Sequence, residues 1–199
     1  MCRLRWATVL GAWAVLVTFG AWRMLSYELT PAAPASPVRW WPTATQLVRD
    51  PGRPTLLMFV HPGCPCSRAS LAELSRLLSP RRNEVAVRIL MVRPAGLEAG
   101  WEKTDLWAIA QRIEGATVLC DPDGAESQRF GARTSGETML FAPEGRLRFD
   151  GGITASRGHE GDNSGRDIIA ALIDDGGKGF RQTPVFGCAL TNCCSSDAQ

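Results

Sequence analysis

Apolar positions along this chain fall into three patterns. Trp6 to Trp22, "WATVLGAWAVLVTFGAW", is an unbroken apolar run without a charged residue. A run of that length is near the minimum that crosses a bilayer core as a helix. "PTLLMFV", residues 54 to 60, is a shorter continuous run bounded by prolines, and predicts a strand buried on both faces. Beyond Cys66 the period becomes helical, because Leu71, Leu74, Leu77 and Leu78 share one face and "SPRR" ends the segment. "EVAVRILMV", 84 to 92, and "ATVLCD", 116 to 121, predict further strands around an amphipathic helix, "EKTDLWAIAQRI", 102 to 113. "PDGAESQRFG" predicts a turn and a short helix. "ETMLFA" and "RLRFDGG", joined by "PEG", predict a β-hairpin. A glycine-rich loop follows, and "RDIIAALIDD", 166 to 175, predicts the closing helix. The order is β-α-β-α-β-α-β-β-α, an α/β fold with a parallel section joined by right-handed crossovers.

The boundaries follow from the same pattern. Residues 1–5 are a short N-terminal segment and 6–25 a transmembrane anchor or uncleaved signal. Residues 26–38 hold a Pro/Ala linker, "PAAPASP", expected to be extended and semi-rigid and to hold the domain off the membrane. Residues 39–176 form the domain, and 177–199 a tail rich in glycine and then cysteine. Arg3 and Arg5 ahead of the apolar run place the N-terminus inside and the domain outside. The expected location is a bacterial-type inner membrane, spanned once, with the domain on the periplasmic or extracytoplasmic side. A cleaved signal peptide is the alternative, and it exports the domain equally. Trp40 and Trp41 are expected to pack on the domain rather than mark a ligand site.

Charge and composition narrow the function. The 199 residues are 45% hydrophobic and 21% charged, with a net charge of +2. That balance suits a globular core, and no basic stripe points to a nucleic-acid partner. Seven cysteines, at 2, 64, 66, 120, 188, 193 and 194, are a high count. In an exported chain such thiols pair or exchange. Cys120 sits at an apolar strand position and reads as core, and Cys193 and Cys194 read as part of the polar tail.

The segment "FVHPGCPCSRASLAEL" resembles the active-site segment of membrane-anchored, TlpA/ResA-type thioredoxin-like proteins. "VLCDPDGAESQRFGARTSGETMLFAPEGRL" is similar to their downstream sequence, so the resemblance covers about residues 54 to 150. A narrower group of exported proteins called RedB resembles "HPGCPCSRASL". The resemblance implies a thioredoxin-like three-layer fold, a mixed sheet flanked by helices, with an N-terminal transmembrane helix. It places Cys64 on the family's nucleophilic cysteine. The second family cysteine falls on Ser67, so the motif here is the atypical Cys-Pro-Cys. Gly136 replaces the proline that such proteins carry beside the site, and Gly63 replaces their tryptophan.

The thiol chemistry follows from placement. A thiol at a helix N-terminus lies in the field of unpaired amides, which favours its anion, and the anion is the nucleophile. Cys64 is therefore the expected attacking thiol, reachable from solvent, with Arg68 one turn on. Cys66 is a candidate resolving thiol, since residues two apart can meet disulfide spacing. Cys188, in "TPVFGCAL", is the distant candidate. His159 lies in the loop after the hairpin and is an auxiliary candidate, as proton carrier or ligand. The expected function is an exported thiol–disulfide oxidoreductase acting on protein thiols or disulfides, with a separate redox partner and no cofactor. A second reading is a copper-binding or copper-delivery protein with Cys64, Cys66 and His159 as ligands. A third, peroxide reduction, lacks its threonine, since His61 stands three positions before Cys64.

Overall fold

The computed structural model describes residues 2–34, 36–177 and 179–190. Its internal contacts divide the chain after Thr30. The first unit is one helix, α1 (Cys2–Leu29), longer than the expected span because the helix runs on through Arg23 and Glu28. Its segment Trp6–Leu29 is long and apolar enough to cross a membrane, and none of that segment is buried within the protein.

The second unit contains β1 (Thr55–Val60), α2 (Ser67–Leu78), β2 (Ala86–Arg93), α3 (Asp105–Gln111), β3 (Ala116–Pro122), α4 (Ala125–Phe130), β4 (Glu137–Phe141), β5 (Leu147–Gly151), α5 (Ser164–Asp174) and β6 (Arg181–Gln182). They form one six-stranded sheet in the order β3-β2-β1-β4-β5-β6. β1, β2 and β3 run parallel, and β4 lies antiparallel to both β1 and β5. This is a thioredoxin-like fold, as the resemblance implies, and the parallel section is the one the alternation of elements predicts. The two-residue β6, parallel to β5, has no counterpart in the predicted order. "RQ" is too short and too polar to show a period.

β1 is the centre of the core, and every one of its residues is buried. Successive side chains point to opposite faces. Leu56, Met58 and Val60 meet Leu71, Leu74, Leu77 and Leu78 of α2 on one face. Leu57 and Phe59 meet Phe130, Met139 and Phe141 on the other. Trp41 covers this second layer, edge-on to Phe130 and Phe141 at 5.1 and 5.2 Å, while Trp40 is exposed. Removing one such leucine side chain from a packed core costs about 2–5 kcal/mol.

Two segments outside the predicted elements are tied to the domain. The Pro/Ala stretch is not a free spacer. Ala32 N donates to the Val185 carbonyl at 2.8 Å, and Val38 N donates to the Phe130 carbonyl at 3.3 Å. The described part of the tail is not loose either. It forms a strap across the sheet edge, with Thr183 N on Asp150 O, Gly152 N on Pro184 O, Ser135 N on Cys188 O and Leu190 N on Arg133 O. Each of these contacts is between backbone groups, so composition does not announce them. Leu190 is fully buried and anchors the strap in the second layer.

Candidate active site

The C-terminal end of β1, the N-terminus of α2 and the start of β4 meet at one pole of the sheet. Phe59 pairs with Glu137 there, and Gly136 N donates to the Phe59 carbonyl at 2.7 Å. The chain leaves β1 through His61 and turns sharply into Cys64, whose N–H donates to His61 O at 3.0 Å. Ser67 N then donates to Cys64 O at 3.1 Å, and α2 begins with Cys66 at its N-cap. Cys64 thus lies at the helix terminus, where the change of period places it.

Its exposure differs from the expectation. Cys64 is only 1% exposed, not open to solvent. The strap covers it and brings a second sulfur with it, since Cys64 Sγ and Cys188 Sγ are 3.0 Å apart. Burial pushes the Cys64 thiol up. Hydrogen bonds from the Cys188 thiol and from Ser67, and from the backbone N–H of each, outweigh it, and the net direction is down. Helix-terminal amides and the opposing thiol therefore act together on the same sulfur.

Cys66 is half-buried. Burial raises its thiol, the neighbouring Cys64 charge raises it further, and the Arg157 guanidinium opposes both. The two thiols of the Cys-Pro-Cys motif are thus unequal, with Cys64 the more acidic.

The strap is held over Cys64 by a small set of contacts. Ser135 N donates to Cys188 O at 2.8 Å, and Thr134 and Ala189 form an antiparallel bridge. Arg157 Nη1 donates to Gly187 O at 2.6 Å. Gly187 packs so closely that a Cβ there would lie 1.9 Å from Ser135 O, so only glycine permits this approach. Beneath, the Ser135 hydroxyl meets the Ser67 hydroxyl at 2.6 Å and accepts from His61 N at 2.7 Å. Gly136, with φ +90°, follows directly, and a Cβ there would lie 2.7 Å from Ser70 Oγ. That is the position where the resembling proteins carry proline, and here the left-handed backbone serves the turn into β4.

Acidic groups set the two loops that carry these contacts. Glu137 Oε2 accepts from Arg133 N and Thr134 N at 2.9 and 3.1 Å, shaping the loop that the strap pairs with. Burial raises Glu137 to about 8, and its neighbour Asp150, itself raised by burial, adds to the effect. Glu73 of α2, fully buried, pins the long loop after β5. It accepts from Gly161 N at 2.8 Å and from Arg166 Nη1 at 2.6 Å. Arg157 is carried on that loop.

The remaining sequence candidates lie apart. Arg68 is turned to Asp105 of α3, forming an exposed ion pair rather than facing Cys64. His159 is exposed in its loop, and Arg157 is the loop residue that bonds the strap at Gly187 O and whose charge acts on the Cys66 thiol. The other histidine, His61, is buried edge-on to Trp101 with centroids 5.8 Å apart, and burial lowers its pKa. Cys120 is half-exposed because β3 is the sheet edge, and burial and Glu102 raise its thiol. Cys193 and Cys194 lie outside the described residues. Among the described residues no three His, Cys, Asp or Glu side chains are grouped to hold a metal ion. A cavity of about 550 Å³ adjoins the strap at Ala189, and its lining, which includes Ser36, Gln128, Arg133 and Thr134, holds no thiol.

Ser135, Arg157 and Gly187 are the site residues that sequence reasoning missed. The sole signal was positional: Ser135 precedes the glycine that stands for proline, and Gly187 precedes Cys188.

No protein-family model matches the chain, and no curated protein matches it. Among solved structures it is similar to a hypothetical protein from Sinorhizobium meliloti, at 18% identity over 83% of this chain and 100% of that one, with a TM-score of 0.62. It is similar to an uncharacterized conserved protein from Geobacillus kaustophilus at 18% identity, over 82% of this chain and 92% of that one, with a TM-score of 0.59. A more distant likeness is to the exposed lipoprotein thioredoxin Etrx1 of Streptococcus pneumoniae, at 17% identity over 70% of this chain and 99% of that one, with a TM-score of 0.47. At these identities the likeness concerns the fold.

Proposed function

We propose that this chain is an exported, membrane-tethered thiol–disulfide oxidoreductase acting on protein thiols or disulfides. Cys64 is the attacking thiol and Cys188 the resolving thiol. The observation that carries this reading is the 3.0 Å approach of the two sulfurs, made by residues 124 apart in sequence. The strap lifts to admit a client. The Cys64 thiolate then attacks one sulfur of the client disulfide, and the other client sulfur leaves as a thiolate. The Cys188 thiolate attacks the Cys64 sulfur of the mixed disulfide and releases the second client sulfur. The client gains two electrons and the protein ends with a Cys64–Cys188 disulfide. Run in reverse, the same steps oxidise a client dithiol. A separate redox partner resets the pair. Helix α1, whose apolar span from Trp6 is preceded by Arg3 and Arg5, tethers the domain on the extracytoplasmic side of a bacterial-type inner membrane.

Reduction of a model protein disulfide by the full chain tests this reading. Cys64→Ser abolishes turnover, and the double variant Cys66→Ser/Cys188→Ser, which leaves no neighbouring thiol to resolve it, accumulates a mixed disulfide between Cys64 and the client. Unchanged turnover in Cys64→Ser overturns the reading.

A further inference from the structure

Three sulfurs meet at this site, and the two-thiol reaction above uses only two. Cys66, at the N-cap of α2 and two residues beyond Cys64, lies where both the Cys64 sulfur and the Arg157 guanidinium act on its thiol. Arg157 in turn holds the strap through Gly187 O at 2.6 Å. Cys64 thus has a thiol neighbour on the strap and a second on its own turn. The Arg157 guanidinium bonds the strap backbone and acts electrostatically on the second thiol.

We propose that Cys66 and Cys188 are alternative disulfide partners of Cys64, and that exchange between them releases and re-seats the strap. The inference rests on Cys64 being the exchanging thiol. In the step, the Cys66 thiolate attacks Cys64 Sγ of the Cys64–Cys188 disulfide. The Cys64–Cys66 bond forms, the Cys64–Cys188 bond breaks, and Cys188 leaves as a thiolate that takes up the proton Cys66 gave to solvent. No electrons are gained or lost, so no oxidant is needed beyond the one that formed the first disulfide. With Cys188 joined to Cys64, the strap is covalently closed. With Cys66 joined to Cys64, the strap is held by non-covalent contacts alone, the Arg157–Gly187 bond, backbone pairs and Leu190, and it lifts for a client or redox partner. Arg157 is the positioning residue. It ties Gly187 O while the strap is seated, and it stands beside the sulfur that must become an anion to open it.

The test uses the full chain in detergent, equilibrated in glutathione redox buffers, acid-quenched, alkylated and peptide-mapped. Wild type yields two one-disulfide forms, Cys64–Cys188 as linked peptides and Cys64–Cys66 as a loss of two hydrogens within one peptide. Isolated Cys64–Cys188 protein converts partly to Cys64–Cys66 with no change in the thiol count. Cys66→Ser yields only the strap-linked form, with slow amide exchange over 185–190, and Cys188→Ser yields only Cys64–Cys66, with fast exchange there. Arg157→Gln shifts the wild-type ratio about tenfold toward Cys64–Cys66, as expected for losing a charged hydrogen bond, and Arg157→Lys restores part of the shift. Absence of the Cys64–Cys66 bond from both wild type and Cys188→Ser overturns the exchange, as does Cys64 joined to a cysteine beyond residue 190. Client turnover unaltered by Cys66→Ser removes this inference and leaves the proposed function standing. A Cys64 that stays a free thiol at every glutathione ratio removes the proposed function itself.

Discussion

A sulfur shut away from water normally keeps its proton, because burial disfavours the charged form. Cys64 escapes this through its donors. Cys188 and Ser67 offer thiol, hydroxyl and backbone N–H groups to it, and together they outweigh the burial. The sign for a variant follows directly. Cys188→Ala removes the strongest of those donors, so the midpoint of Cys64 alkylation against pH moves upward from its wild-type position. An unchanged or lower midpoint, measured by iodoacetamide labelling and mass spectrometry, means that the strap thiol does not support the anion. At this scale the sequence was informative about Cys64 and Ser67, because both sit where a strand-like run gives way to a helical period. It marked the long loop that carries Arg157 as functional, but not the contacts that Arg157 and Ser135 make. Their roles depend on which carbonyl, sulfur or hydroxyl lies opposite, and contacts across 30 or 68 positions leave no local period.

Among the elements, the buried strands and the leucine face of α2 lie within a few residues of where the apolar pattern puts them. The strap does not, because glycine-rich and cysteine-rich composition carries no period of 2 or 3.6. What seats it is steric. Gly187→Ala brings a Cβ against Ser135 O, and the strap must shift outward, disturbing the Arg157 bond and the Thr134–Ala189 bridge. Cys64 alkylation under reducing conditions then rises about tenfold or more, as expected for losing roughly 1–2 kcal/mol of closing energy. Circular dichroism of the same variant stays native, since the strap contributes only the two-residue β6 to the sheet. Labelling equal to wild type means that the strap does not control access.

Across the whole molecule, stability carries the mark of the buried acids. The folded domain holds Glu137 at about 8, against 4.5 when exposed, chiefly through burial. The folded state therefore keeps a proton that the unfolded state gives up. Stability from this group is full below the unfolded value and falls as pH rises toward the folded one. Glu137→Gln keeps an acceptor for Arg133 N and Thr134 N without the charge. It is expected to flatten the loss between about pH 4.5 and 8, leaving the variant more stable than wild type at pH 8 by on the order of 1–3 kcal/mol. Urea unfolding at several pH values measures this, and parallel curves for the two proteins remove the assignment. The α/β alternation that sets this architecture was visible in the sequence. The pairing of Glu137 with Asp150 was not, since it depends on strand register.

The seating of Leu190 and Cys188 over the Cys64 sulfur has a consequence for the proposed exported thiol. Small oxidants reach a thiolate by collision, and a collision needs an open path. The chain's own C-terminal segment closes that path and works as a built-in protecting group. On the proposed reading, the sulfur would wait in its reactive form without being spent on peroxide or stray disulfides, until a protein large enough to displace the cover arrived.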